Sequence, residues 1–194
     1  MGSTRVVTER LGPAFFHDLY AASPDPWDFE TSPYEAAKYD ATIAALGGRR
    51  FATVLEIGCS IGVLTERLAG RCDELLAIDV AESALDRARA RVPEAEFELR
   101  EVPEEFPDGA YDLIVVSEVL YYLDEPAFAA TLNAIERTLI PAGVLLAVHW
   151  RPQAPSYPLT GDEVHERLAR RFGSPALSRR TPKYNLDRFD VCGS

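Results

Sequence analysis

The chain is poor in cysteine, in histidine and in positive charge, and each shortage removes a class of protein. Cys59, Cys72 and Cys192 stand far apart with no CxxC spacing, so neither a zinc site nor a disulfide framework is spelled out. Cys72 and Cys192 read as small buried apolar residues. The three histidines, His17, His149 and His165, are not spaced as ligands, and no metal is expected. Lys and Arg number 20 against 31 Asp and Glu, a net charge of −11. That balance argues against a nucleic-acid partner, whose phosphates are met by Lys and Arg. The basic cluster of Arg167, Arg170, Arg171, Arg179 and Arg180 reads as a solvated face. No apolar run approaches the ~20 residues of a membrane span. The N-terminus shows no signal-peptide core, so a cytoplasmic protein with no membrane partner is expected.

What is present points to one α/β domain spanning residues 1–194. Thr53 to Ile57 reads as a buried strand and Val63 to Ala69 as the helix after it. Glu74 to Asp79 reads as a second strand. Ala84 to Arg91 reads as a helix with Ser83 as candidate cap, and Glu96 to Glu101 as a third strand. Tyr111 to Ser117 is a strongly apolar fourth strand. Ala127 to Leu139 is an amphipathic helix stopped near Pro141 and Gly143, and Val144 to Val148 a fifth strand. Such alternation implies a mostly parallel sheet with helices on both faces. Ala176 to Arg180 and Leu186 to Val191, joined through Lys183-Tyr184-Asn185, read as an antiparallel hairpin added at one edge. Pro13 to Tyr20 and Glu35 to Leu46 read as helices, and Ser23 to Tyr34 between them as an ordered loop rich in proline and aromatics.

The stretch "VLEIGCSIGVLTERLAG", Val54 to Gly70, carries the first chemical signal. Glycines between a buried strand and a helix permit close backbone approach, and the helix start offers free N–H groups. The dinucleotide fingerprint G-x-G-x-x-G is absent, because the run is Gly58, Cys59, Ser60, Ile61, Gly62. An acid, Glu56, precedes the first glycine. A carboxylate there repels a pyrophosphate but suits a ligand with an ammonium group. Asp79, ending the second strand, is placed to accept hydrogen bonds from ribose hydroxyls.

An acid-x-Gly-x-x-x-Gly turn with an acid ending the second strand resembles the class I S-adenosylmethionine-dependent methyltransferases. Ser60 stands where their turn usually has a central glycine. "DPWDFETSPYE" (Asp25 to Glu35), "IDV" (Ile78 to Val80) and "DLIVVSEVLYYL" (Asp112 to Leu123) are similar, with the turn, to the nodulation protein S family. The resemblance implies a Rossmann-like sheet, S-adenosyl-L-methionine as cofactor and N-methylation of a free amine on a chitooligosaccharide. It divides the domain into pocket-closing helices and loop (1–50), a cofactor-binding core (51–149) and a substrate-side segment with the hairpin (150–194). It implies that Gly58 and Gly62 line the methionine moiety, with the Cys59 backbone nearby and Glu56 before them facing the ammonium group. Asp79 would hold the ribose, Val80 border the adenine, Glu101 meet its amino group and Val102 pack on the ring. Ser117 and Glu118 would lie beside the sulfonium, and Trp27 and Tyr34 would close the pocket.

Methyl transfer is a displacement at a sulfonium methyl, so the protein supplies mainly position and electrostatics. An amine nucleophile must first lose a proton, to a base or to water. Glu118 after the fourth strand, His149 after the fifth and Tyr122 are the candidate catalytic residues. An unperturbed imidazole titrates near 6.5, which suits the role of base expected for His149. Tyr121, Tyr122, Trp150 and Tyr157 suit the wall of a small polar acceptor such as an amino sugar. Asp162 and Glu163 read as the cap and start of a helix through Arg171, with contact to an amine as the alternative. Three other readings stay open: an O-methyltransferase for a hydroxyl or carboxylate, a non-catalytic S-adenosylmethionine-binding subunit, and a dehydrogenase, which Glu56 and the missing fingerprint disfavour.

Overall fold

The apolar runs of the middle of the chain become parallel strands. In the computed structural model, which describes residues 9–152 and 154–191, five strands pair in parallel: β1 (Phe51–Ile57), β2 (Cys72–Asp79), β3 (Glu96–Leu99), β4 (Tyr111–Ser117) and β5 (Leu139–Trp150). β7 (Tyr184–Asp190) runs antiparallel beside β5, and β6 (Leu177–Arg180) pairs antiparallel with β7 at the edge. The sheet order is β3-β2-β1-β4-β5-β7-β6. The expected hairpin is there. Its turn is nearer Thr181-Pro182-Lys183, because Tyr184 and Asn185 already belong to β7. Cys192 lies outside the described residues, whereas Cys59 and Cys72 are buried and free.

Side-chain alternation assigns the two faces of the sheet. Leu55, Ile57, Ile114, Val116, Leu145 and Ala147 point to one face, beneath α5 (Glu125–Thr138) and α6 (Gly161–Phe172). Val54, Leu75, Leu113, Val115, Val144 and Leu146 point to the other, beneath α2 (Pro33–Ala45) and α3 (Val63–Ala69). α4 (Glu82–Arg91) covers Ala77 through Leu85. α1 (Pro13–Ala22) joins a smaller cluster of Tyr20, Ile61, Ala81 and Ala84. The strands are apolar on both faces, as buried parallel strands must be.

Helix starts follow local chemistry. Ser32 and Asp124 accept the third-residue N–H of α2 and α5, and each helix carries a proline in its first turn. Thr160 and Glu163 form a reciprocal capping box on α6. Two expectations are corrected. Ser83 is not a cap: α4 starts at Glu82, and Ala81 at its cap position offers no side-chain bond. Nor do Pro141 and Gly143 separate a helix from a strand. α5 ends at Thr138, and the chain enters β5 at once, with Ala142 in the left-handed region where the register shifts against β4. The proline sits in that irregular, exposed stretch, where a missing N–H is tolerated. Among the described residues no helix is long and apolar enough to cross a membrane.

Candidate active site

Strand order reverses between β1 and β4, since β2 and β3 lie on one side and β5 on the other. Crossovers leave such a point in opposite directions, so a crevice opens beyond the carboxyl ends of the strands. A cavity of about 400 Å³ occupies this place, within the range of small-molecule sites. Its walls come from the ends of β1, β2 and β4, from the turn Leu120–Tyr122, and from the N-terminal segment.

Most of the expected residues meet there. Gly58, Asp79, Val80, Glu101, Val102, Ser117, Glu118 and Tyr122 line the cavity, as do Trp27 and Tyr34 from the N-terminal segment. Gly58 lies at φ +81°, and a Cβ on it would fall 2.2 Å from Val119 Cγ2, so only glycine lets the chain pass here. Ser60 takes a left-handed conformation at φ 52° without being glycine. Its N–H donates to Asp79 Oδ2 at 2.8 Å, and its hydroxyl is hydrogen-bonded to Tyr20. Those bonds hold a strained residue where a glycine would be free. Asp79 also accepts the Ala81 N–H at 3.0 Å. Burial raises its pKa, and the backbone N–H bonds pull the other way. Glu101 is already paired with Arg10 at 3.3 Å. Trp27 stacks on Phe29 with ring centroids 5.3 Å apart.

Four expected residues stand outside the cavity wall. Gly62 starts α3 at φ +80°, and a Cβ there would meet Ala88 Cα at 3.0 Å; its smallness serves the packing of α3 on α4. Cys59 turns its side chain to Ala77, Leu85 and Phe97, and burial pushes its thiol up. Glu56 shares the face of Val54, so it points beneath α3 rather than toward a ligand. It is 1% exposed. Burial raises its pKa to about 7, with Asp79 adding to the rise.

His149 is the fourth and is 0% exposed. Its Nε2 accepts the Leu120 N–H at 3.3 Å, and its Nδ1 lies 3.1 Å from His165 Nε2. Burial, and then His165, hold its pKa well below the usual imidazole range. The ring is thus walled in at both nitrogens and stands behind the cavity rather than in its wall. Tyr122 does line the cavity, and burial holds its hydroxyl well above the usual phenol range.

Glu118 is held by three donors. Lys38 Nζ donates to Oε1 at 2.7 Å, and the Tyr121 hydroxyl and Trp150 N–H donate to Oε2 at 2.6 and 2.8 Å. A carboxylate has room for about four hydrogen bonds, so one further donor can be taken from the cavity. Lys38 is 3% exposed and also pairs with Glu35 at 2.8 Å. Burial alone would lower its pKa, but Glu118 and Glu35 outweigh burial and raise it. Burial raises Glu35, and Lys38 opposes that.

Sequence reasoning missed Lys38 and Glu35, because a Glu-x-x-Lys spacing reads as a surface ion pair. The signal was periodicity: Glu35, Lys38, Thr42 and Ala45 all lie on the buried stripe of α2. Among the described residues no group of three His, Cys, Asp or Glu side chains could hold a metal.

A seven-stranded sheet of this order, a glycine turn after β1 and an acid ending β2 at the switch point together define the class I methyltransferase fold. The fold recurs in the crystal structure of N-methyltransferase NodS from Bradyrhizobium japonicum with S-adenosyl-L-homocysteine, at a TM-score of 0.81 and 24% identity, over 93% of this chain and 99% of that one. A putative methyltransferase from Pseudomonas syringae shares it at a TM-score of 0.72 and 35% identity, over 81% of this chain and 98% of that one. The family model for nodulation protein S (NodS) matches residues 15–151, and the chain belongs to that family. Nodulation protein S of Rhizobium tropici is 35% identical over 141 residues, 67% of this chain and 59% of the relative. The chain spans 57–61% of the length of the nodulation protein S relatives it matches.

Proposed function

We propose that this protein is an S-adenosylmethionine-dependent N-methyltransferase acting on a small polar amine of amino-sugar type. The observation that carries the reading is the Glu118 carboxylate. It is presented to the cavity at the end of β4, fixed by Lys38, Tyr121 and the Trp150 N–H, and has one acceptor position left. Membership of a family whose Bradyrhizobium representative is an N-methyltransferase supports it. Free Cys59 and Cys72 support a cytoplasmic setting.

The residues fit the cofactor. Asp79 faces the cavity beside Val80 and would take the ribose hydroxyls, while Glu101 and Val102 would border the base. Gly58 and Ser117 would flank the methionine chain, and Trp27 and Tyr34 would shut water out. S-Adenosylmethionine, when bound, supplies a methyl group already activated on a sulfonium. The chain then has to orient the acceptor. Glu118 accepts an N–H of the incoming amine and turns its lone pair toward the methyl, and Tyr121, Tyr157 and Trp150 wall the acceptor in. Neither His149 nor Tyr122 takes a proton, and Glu118 is committed to its three donors. The amine therefore enters already neutral, having left its proton in bulk water, and turnover rises with pH toward the amine's own pKa.

Calorimetric titration with S-adenosylhomocysteine, with NADH as control, tests the cofactor half. Micromolar binding of the first alone is expected, and Asp79→Ala should weaken it at least about tenfold, the worth of one charged hydrogen bond. An unchanged affinity would remove Asp79 from the ribose role. An acceptor screen with amino sugars and their hydroxyl analogues tests the other half. Turnover of only the hydroxyl compounds would replace the N-methyl reading with an O-methyl one.

A further inference from the structure

Behind the cavity wall lies a row of buried polar groups that no step above uses. It starts at the Leu120 N–H, which donates to His149 Nε2 at 3.3 Å. His149 Nδ1 is 3.1 Å from His165 Nε2, and His165 Nδ1 is 2.7 Å from Asp187 Oδ2. Arg180 closes the row from β6, with both terminal nitrogens 2.7 Å from the Asp187 carboxylate. His149, His165 and Asp187 are each at most 1% exposed.

The row is fixed from both ends. A backbone amide can only donate, so His149 Nε2 must accept and its proton sits on Nδ1. That proton is given to His165 Nε2, which puts the His165 proton on Nδ1 and points it at Asp187, which can only accept. Burial keeps both rings neutral. The groups stand in series rather than converging, so they form no metal cage. Three polar side chains in a core are costly unless every bond is made. Here they join β5, α6, β7 and β6 to one backbone N–H of the turn whose Tyr121 and Tyr122 line the cavity.

We propose that His149, His165 and Asp187 are positioning residues, a hydrogen-bond chain that fixes the Leu120–Tyr122 turn and through it the face Glu118 presents to the acceptor. The turn carries Tyr121, whose hydroxyl binds Glu118 and whose ring meets His149 edge-on at 5.5 Å. It also carries Tyr122, on which Phe16 of α1 rests edge-on at 5.0 Å. The His149 acceptor thus sets a strip of wall reaching from Glu118 to the N-terminal helix. The ligand arm of the test rests on the cofactor reading above; the amide arm does not.

Long-range nitrogen–proton spectra of the unmodified protein should show both His149 and His165 as the Nδ1–H tautomer. Two variants then separate the ends of the ring. His149→Gln keeps an acceptor near the Nε2 position and restores the bond to Leu120. His149→Asn keeps only the end facing His165. In His149→Asn the Leu120 amide should exchange roughly tenfold faster and S-adenosylhomocysteine should bind several-fold more weakly, the scale of one hydrogen bond. In His149→Gln both should return to within about threefold of the parent. An Nε2–H tautomer for His149, or equal behaviour of the two variants, overturns the proposal. The tautomer spectrum needs no variant, so an Nε2–H His149 overturns the proposal even if His149→Asn fails to fold. If the parent binds no S-adenosylhomocysteine but the amide responds as stated, the cofactor reading fails and the positioning chain stands.

Discussion

Two carboxylates at the ends of neighbouring strands meet opposite environments. Glu118 finds three donors, whereas Glu56 finds a buried site with Oε2 lacking a hydrogen-bond partner. Burial raises the Glu56 pKa to about 7 from an ordinary 4.5. A carboxyl whose folded pKa lies above its unfolded one favours the folded state while protonated. That advantage is complete below about pH 4.5 and is lost as pH rises through 7. Ionised Glu56 then costs the fold about 3 kcal/mol at pH 8. Glu56→Gln, which mimics the protonated form, should gain up to that amount in urea unfolding at pH 8 and less than about 1 kcal/mol at pH 5. A gain that does not grow with pH would mean that Glu56 is not the group that titrates. The sequence reading set Glu56 toward a ligand because it stands beside the glycine turn. Strand parity, the same rule that placed Val54, sends it the other way.

At the scale of elements the sequence was most legible where one rule acted alone. Val63–Ala69 and Tyr111–Ser117 are bounded as the pattern sets them, because a glycine turn and an unbroken apolar run mark their ends. The parallel core was equally readable, and so was the existence of the C-terminal hairpin, though not its turn, since Tyr184 and Asn185 already belong to β7. The start of β5 was not, since Pro141 and Gly143 carry the same punctuation whether they end a helix or sit in a strand's irregular first turn. The start of α6 falls earlier than the sequence reading sets it, because Thr160 and not Asp162 is the cap, with Glu163 as its reciprocal partner, and the register of the helix decides where His165 falls. Thr160 accepts the Glu163 N–H at 3.2 Å, and Glu163 Oε2 accepts the Thr160 N–H at 2.7 Å. Thr160→Ala should therefore lower stability by about 1 kcal/mol in denaturant titration. Ligand affinity should stay unchanged, because Thr160 is not among the cavity walls. A loss of affinity equal to the loss of stability would show that α6 is coupled to the cavity more tightly than its caps require.

For the molecule as a whole, one ligand site gathers the separate pieces of the chain. The cavity takes walls from the N-terminal segment, from the ends of β1, β2 and β4, and from Trp150 and Tyr157. A ligand seated there touches residues from Arg10 to Tyr157 and is lost when any large part of the fold opens. Unfolding should therefore remain one transition, and ligand should stabilise all of it. S-Adenosylhomocysteine at one hundred times its dissociation constant adds about 2.7 kcal/mol. For a chain of this length that moves the melting temperature up by roughly 5–10 °C. The shift should grow with the logarithm of ligand concentration and should need far more ligand in Asp79→Ala. N-terminal residues such as Phe16 and core residues such as Ile114 should gain the same amide protection. Protection confined to the first fifty residues would mean that the N-terminal segment opens independently of the sheet. The ligand would then report on a closing strap rather than on the fold.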